Sequence, residues 1–200
     1  MTPRKPAPQK DEIAKLEPYA GLELGQVFVV TNERQAGIAF DELSNAENVG
    51  FDTESKPTFR KGQKSEGPHV LQFATPEKAF IFQSHVAESR EAVMGLLKSE
   101  TLTKIGFDLR GDLKQISNRF GIRPEALIDL DRSFKNLGYR NSIGAKTAIA
   151  LLFNRRFLKS KSVTTSNWES KRLTDRQLLY AANDAFAAIQ VFNALENRAL

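Results

Sequence analysis

The chain has 200 residues, 40% of them hydrophobic, and its 29 Lys and Arg outnumber 24 Asp and Glu to give a net charge of +5. That length supports one sizeable core and one domain, while the lack of cysteine excludes disulfides, thiolate metal sites and cysteine nucleophiles. No stretch approaches the roughly 20 apolar residues of a membrane span, and the N-terminal MTPRKPAPQK lacks the apolar run of a secretory signal. The composition reads as a soluble, cytoplasmic protein.

Residues 1–10 hold three prolines and few apolar side chains, which predicts a mobile N-terminal arm over 1–20 and a single domain over 21–200. QVFVV (26–30) is rich in β-formers, 32–45 carries scattered helical signals, and NVGFDTE (48–54) reads as a buried strand ending in charge. A basic loop follows at 56–68, then HVLQFAT (69–75) and KAFIF (78–82) form two strands around the turn TPE. Residues 86–99 are helical in pattern, TKIGF (103–107) is a short strand, and 108–121 is a helix stopped by Gly121. ALIDL (126–130) supplies one more short strand. Long apolar periodicity at 144–158 and 174–197 predicts two further helices, the last opened by Thr174 and Gln177 at capping-box spacing. Hairpin strands first and helices accumulating later give an α/β domain with a central mixed β-sheet flanked by helices.

Three groups of residues carry chemistry. Asp52 and Glu54 are two apart, so a strand points both carboxylates to one side, where a divalent cation with oxygen ligands would neutralise them; hydration at an exposed strand end is the bland alternative. Tyr180 and Asp184 are four apart and share a helical face, with small alanines between them that keep the helix slim. Asp108 and Asp112 lie at the start of a helix, where negative charge is favoured anyway, and spacing alone does not choose which of them faces Asp52. Basic side chains cluster at Lys56, Arg60, Lys61 and Lys64, and again over 155–176, where Arg155, Arg156, Lys159, Lys161, Lys171, Arg172 and Arg176 stand against Glu169 and Asp175. Such runs are either solvated loops or contacts to a polyanion.

Taken in order, FDTE, GFDLRGDLKQI and LLYAANDAFAAIQVF resemble the three exonuclease motifs of the DEDD superfamily, in the subgroup whose third motif is Tyr-x-x-x-Asp. LKSKSVTTSNWESKRLTDRQLLYAANDAFAA resembles the same stretch of ribonuclease D and, more closely, of the Werner-type exonuclease domain. The resemblance covers about residues 25–197 and implies a ribonuclease H-like fold. It puts the metal ligands at Asp52, Glu54, Asp112 and Asp184, choosing Asp112 over Asp108, and adds Tyr180 to the catalytic set. The position after Glu54 departs from the Werner-type domain, which has tryptophan where this chain has Ser55.

The resemblance implies two divalent cations, Mg²⁺ or Mn²⁺, which an all-oxygen ligand set also favours. It implies 3′-to-5′ hydrolysis of nucleic acid to nucleoside 5′-monophosphates, with DNA slightly favoured over RNA and no membrane partner. A competing reading is a non-catalytic nucleic-acid-binding or interaction module on the same fold, which would arise by loss of ligands. Tyr180, with an ordinary pKa near 10, orients water better than it deprotonates it. Arg60 and Lys161 are candidate phosphate contacts, and Phe59, Phe73 and Phe107 are candidate platforms for base stacking or else core residues. Trp168 reads as a packing residue.

Overall fold

A computed structural model describes residues 5–58 and 65–199. Strands β1 (Val27–Val30), β2 (Asn48–Glu54), β3 (Val70–Ala74), β4 (Ala79–Gln83), β5 (Thr103–Gly106) and β6 (Leu127–Asp129) form one six-stranded sheet in the order β1-β4-β3-β2-β5-β6. β3 runs antiparallel to both β2 and β4, whereas β1 pairs with β4, and β5 with β2 and β6, in parallel. The sheet is therefore mixed, and β2 lies inside it with a partner on each side.

Strand alternation divides the core into two layers. Val49, Phe51, Leu71, Phe73, Phe80 and Phe82 face one side, where α2 (Glu33–Ser44), α3 (Arg90–Lys98) and α4 (Arg110–Phe120) cover them with residues such as Leu43, Leu97 and Ile116. Val70, Ala74, Ala79 and Ile81 face the other, against α6 (Ala145–Phe153) and the long α8 (Asp175–Ala199). Gly121, at φ 68°, closes α4 in the left-handed conformation that the sequence predicts for it. Thr174 and Gln177 make the reciprocal bonds of a capping box before α8: the Thr174 amide donates to Gln177 Oε1 at 3.0 Å, and the Gln177 amide to Thr174 Oγ1 at 3.3 Å.

Several boundaries differ from the sequence reading for local reasons. The helix expected over 144–158 ends at Phe153 because Asn154 takes a left-handed C-cap, a conformation asparagine tolerates well. The last expected strand shortens to 127–129 because the Asp129 side chain accepts the amide of Asp131 and starts α5 (Leu130–Asn136). Residues 5–20, expected as an arm apart from the domain, lie against it. α1 (Lys10–Ala14) buries Ile13, the Tyr19 amide donates to the Arg156 carbonyl at 2.9 Å, and Arg156 Nη1 donates to the Ala14 carbonyl at 2.8 Å. Apolar residues spaced too widely to signal a helix, Ile13 and Tyr19, make this docking. The remaining short helix, α7 (Lys161–Thr164), lies between α6 and α8 and buries only Val163.

The decisive contact is between β2 and α8. A Cβ at Gly50 would stand 1.8 Å from the carbonyl oxygen of Ala185, so α8 rests directly on the strand backbone there. Ala181, Ala182, Ala185 and Ala188 are all buried and keep the helix thin enough to do so. Gly50→Ala should lower the unfolding free energy by about 1–3 kcal/mol. Gly111→Ala, in α4 with open space around it, should be neutral or gain up to about 1 kcal/mol. Urea denaturation of the two variants measures both, and equal stabilities would contradict the close approach.

Candidate metal centre

Because Gly50 brings α8 down onto β2, the side chains two and four residues further along the strand meet the helix. Asp52 and Glu54 project to the α8 side, and Asp184 projects from α8 toward them. One carboxylate oxygen from each of Asp52, Glu54 and Asp184 lies within 4.8 Å of the others. Glu54 and Asp184 are buried and Asp52 is half-buried. Phe51, immediately before Asp52, packs on the opposite face against Phe73 at 5.0 Å between ring centroids, which anchors the strand end from behind.

Asp112 lies outside that three-carboxylate set but is tied to it. Thr53, pointing away from Asp52 and Glu54, donates its hydroxyl to Asp112 Oδ1. The turn that delivers Asp112 is held by Asp129, whose carboxylate accepts the amides of Asp108 at 3.0 Å and Leu109 at 3.3 Å. Asp108 itself is exposed, in a left-handed conformation at φ 50° before α4. Of the two acids that spacing leaves open, Asp112 is thus the one beside the cluster.

Crowding buried acids raises their pKa values. Burial, then the charge of Asp184, pushes Asp52 up to about 7, against the pull of Lys159 and the Thr53 amide. Burial and then Asp52 and Asp184 push Glu54 up to about 9. Burial and then Asp52 push Asp112 up to about 7, although the Thr53 hydroxyl opposes the shift. Asp184 is raised by burial in spite of Lys159. The Lys159 ammonium answers part of this charge: Nζ is 2.7 Å from Asp184 Oδ2 and 5.5 Å from the centre of the Tyr180 ring. Among the described residues, Asp184 Oδ1 has no hydrogen-bond partner of good geometry. Burial alone would lower the Lys159 pKa, but Asp184 and Asp52 outweigh it and hold it above the ordinary value.

The donor set fits a hard cation. It is all oxygen, its members converge, and among the described residues Asp184 Oδ1 has no hydrogen-bond partner of good geometry. Gln72, opposite Asp52 on β3, is fully buried with neither amide atom hydrogen-bonded, a second polar group near the cluster without a protein partner. Tyr180 sits beside the cluster with its hydroxyl 2.8 Å from Thr164 Oγ1 and its ring 5.8 Å from that of Trp168. Burial and then Asp184 push its pKa up to about 12, so the phenol stays protonated. Trp168 is buried, with Nε1 donating to the Thr164 carbonyl at 3.2 Å, and so braces Tyr180 from behind.

Other candidate residues fall elsewhere. Phe59 and Arg60 lie outside the described residues, as do Lys61 and Lys64. Phe73 is a core side chain, Phe107 packs half-buried against the α8-side core, and Lys161 is exposed at the start of α7. Lys56, read as part of an acid-free basic cluster, pairs with Glu169 at 2.6 Å across the chain. Lys159 is the residue that sequence reasoning passes over in favour of Lys161. Both lie in one basic run, and nothing in LKSKS tells which lysine turns inward. A cleft of about 470 Å³ opens beside the cluster, lined by Tyr19, Leu22, Phe157, Leu158, Arg176, Tyr180 and Asp184 among others. Asn183 fixes its N-terminal wall, accepting the Leu22 amide at 2.7 Å and returning a bond to the Leu22 carbonyl at 3.3 Å.

The mixed sheet, with an acidic cluster where its central strand meets a long helix, is an α/β fold of the ribonuclease H-like class. The Nibbler EXO domain of Aedes aegypti superposes with a TM-score of 0.75 at 19% identity, covering 90% of this chain and 92% of that one. Trypanosoma brucei RNase D in complex with RNA U12 gives 0.75 at 20% identity, covering 92% and 64%. The chain belongs to the 3′-5′ exonuclease family, whose model matches residues 27–199. Among curated relatives, the bifunctional 3′-5′ exonuclease/ATP-dependent helicase WRN of Mus musculus is 27% identical over 157 residues, which are 78% of this chain and 11% of that protein. A 3′-5′ exonuclease of Arabidopsis thaliana is 28% identical over 172 residues, 84% of this chain and 56% of that protein. The chain therefore spans a ninth to just over half the length of these relatives.

The raised carboxylates make stability depend on pH in a defined direction. A carboxyl raised in the fold adds stability that is full below its unfolded pKa, near 4, and is lost as pH rises through the folded value. Here that loss begins above a pH of about 4 and is complete near 7 for Asp52 and Asp112 and only near 9 for Glu54. In chelator, the melting temperature should fall from pH 6 to pH 9, and Glu54→Gln should flatten the fall. A melting temperature with the same slope in both proteins contradicts the electrostatics.

Proposed function

We propose that this domain hydrolyses phosphodiester bonds at the 3′ end of nucleic acid and releases nucleoside 5′-monophosphates. The observation that carries the proposal is the convergence of Asp52, Glu54 and Asp184 within 4.8 Å on two rigid elements, with Asp112 adjacent. Family membership over residues 27–199 supports the reaction class. Asp52, Glu54 and Asp184 would hold two divalent cations, Mg²⁺ or Mn²⁺, with Asp112 supporting one of them. Bound there, the ions would neutralise phosphate charge and lower the pKa of water at the reacting phosphorus.

The residues of the chain do the rest. Without cations, clustered carboxylates repel a phosphodiester, so substrate entry and metal loading are linked. Without cations, burial and the charge of Asp184 push the Tyr180 pKa up to about 12, which favours its protonated form. Its protonated hydroxyl, steadied by Thr164, donates a hydrogen bond and orients the attacking water or a phosphate oxygen. Thr53 fixes Asp112 beside the strand end that carries Asp52 and Glu54. The adjoining cleft has the size of an ordinary small-ligand site and takes the terminal nucleotide, with Arg176 in its lining.

Nucleic acid is the substrate class. Likeness to the Werner-type domain favours DNA slightly, while the resemblance in fold to an RNase D solved with RNA U12 makes RNA the direct comparison. Matched DNA and RNA oligomers, single-stranded and 3′-recessed, assayed side by side decide the sugar. Asp52→Asn or Asp184→Asn should slow nucleotide release by about 100-fold or more, and chelation should abolish it until Mg²⁺ or Mn²⁺ is restored. Nucleotide release at the parental rate in either variant would overturn the mechanism. Tyr180→Phe should slow release by about 10- to 100-fold, the loss of one hydrogen bond to a charged group. Its pH–rate profile should keep the parental shape; loss of the basic limb would instead make Tyr180 the base.

A further inference from the structure

Among the described residues, Lys159 is the only cation within salt-bridge distance of the acidic cluster, and it lies on a carboxylate that a metal ion held there would also use. Its Nζ lies 2.7 Å from Asp184 Oδ2 and 5.5 Å from the Tyr180 ring centre, on the side where Asp52 adds its charge. The contact is to one oxygen only: among the described residues Oδ1 has no hydrogen-bond partner of good geometry. A divalent ion ligated by Asp184 and an ammonium at 2.7 Å from the same carboxylate would repel each other at close range, which favours withdrawal of the lysine when the ion binds.

The side chain has somewhere to go. Lys159 sits in the irregular segment between α6 and α7, its side chain is 28% exposed, and its backbone neighbourhood is fixed by the pairing of Arg156 with residues 17–19 rather than by the lysine itself. A four-carbon stem with a compact point charge can therefore swing over the mouth of the cluster without moving the chain, and an ammonium is a good phosphate ligand. Lys161, two residues on, is exposed on α7 and makes no such contact.

We propose that Lys159 is a built-in counter-ion of the site: it holds Asp184 while metal is absent, is displaced when metal binds, and then contacts the phosphate of the substrate. The inference rests on the reading of the acidic cluster as a metal centre. Mn²⁺ binding to the metal-stripped full chain, followed by paramagnetic resonance without substrate, tests the first half. Lys159→Met, which keeps the length of the stem, should bind Mn²⁺ more tightly, on the order of tenfold. Lys159→Arg and Lys161→Met should stay close to the parental affinity. Equal or weaker Mn²⁺ binding by Lys159→Met, alongside a parental protein that binds Mn²⁺, overturns the counter-ion role alone. A parental protein that binds no Mn²⁺ overturns the metal centre as well. The second half is read from single-turnover cleavage at saturating Mn²⁺, where Lys159→Met should be about tenfold or more slower and Lys159→Arg should recover part of the loss. A parental rate in Lys159→Met under those conditions overturns the phosphate contact.

Discussion

Everything at this site depends on how closely α8 approaches β2. Gly50 removes the side chain that would block the helix, and Ala185 presents only backbone at the point of contact. With the two elements this close, Asp184 has no route away from Asp52 and Glu54. The fold thus spends part of its hydrophobic stability, supplied on this side by residues such as Ile81, Ile149 and Ile189, on forcing like charges together in a buried place. Such an arrangement is unfavourable unless protons, an ammonium or metal ions neutralise it.

The surroundings of the cluster are arranged around that repulsion. Thr53 and Asp129 hold Asp112 from one face of the sheet, through a hydroxyl and through the turn before α4. Trp168 and Thr164 hold Tyr180 from the other. Lys159 supplies one positive charge where three carboxylates converge. Burial first, and then the charge of their neighbours, keeps Glu54 and Asp52 raised even with the lysine in place. Divalent cations at the cluster would complete the neutralisation, and the same charge would then make the site receptive to phosphate.

Much of this is legible in the sequence because period-2 and period-3.6 patterns survive folding. NVGFDTE reads as a strand, and its alternation places Asp52 with Glu54 and sends Phe51 to the opposite layer, as the structure has it. Gly121 and the Thr174 and Gln177 pair mark helix ends through local chemistry alone. The choice of Asp112 over Asp108 was not available from spacing, because it depends on Asp129, seventeen residues beyond Asp112 in the chain and paired to the turn through β6. Lys159 was hidden for a similar reason. Which lysine of LKSKS faces the acids has no local signature, and the segment follows Arg156, onto which the N-terminal segment docks through a tertiary contact. That docking was itself illegible, since the prolines and charges of residues 1–10 read as solvated chain.

The central claim is that the buried acids are a cation site, and manganese can be located directly by its anomalous scattering in crystals of the full chain grown with Mn²⁺. The account predicts a strong anomalous peak ligated by Asp52, Glu54 and Asp184, with the Lys159 ammonium withdrawn from Asp184. Three carboxylates with no manganese between them, and Lys159 still on Asp184 at millimolar Mn²⁺, would contradict it.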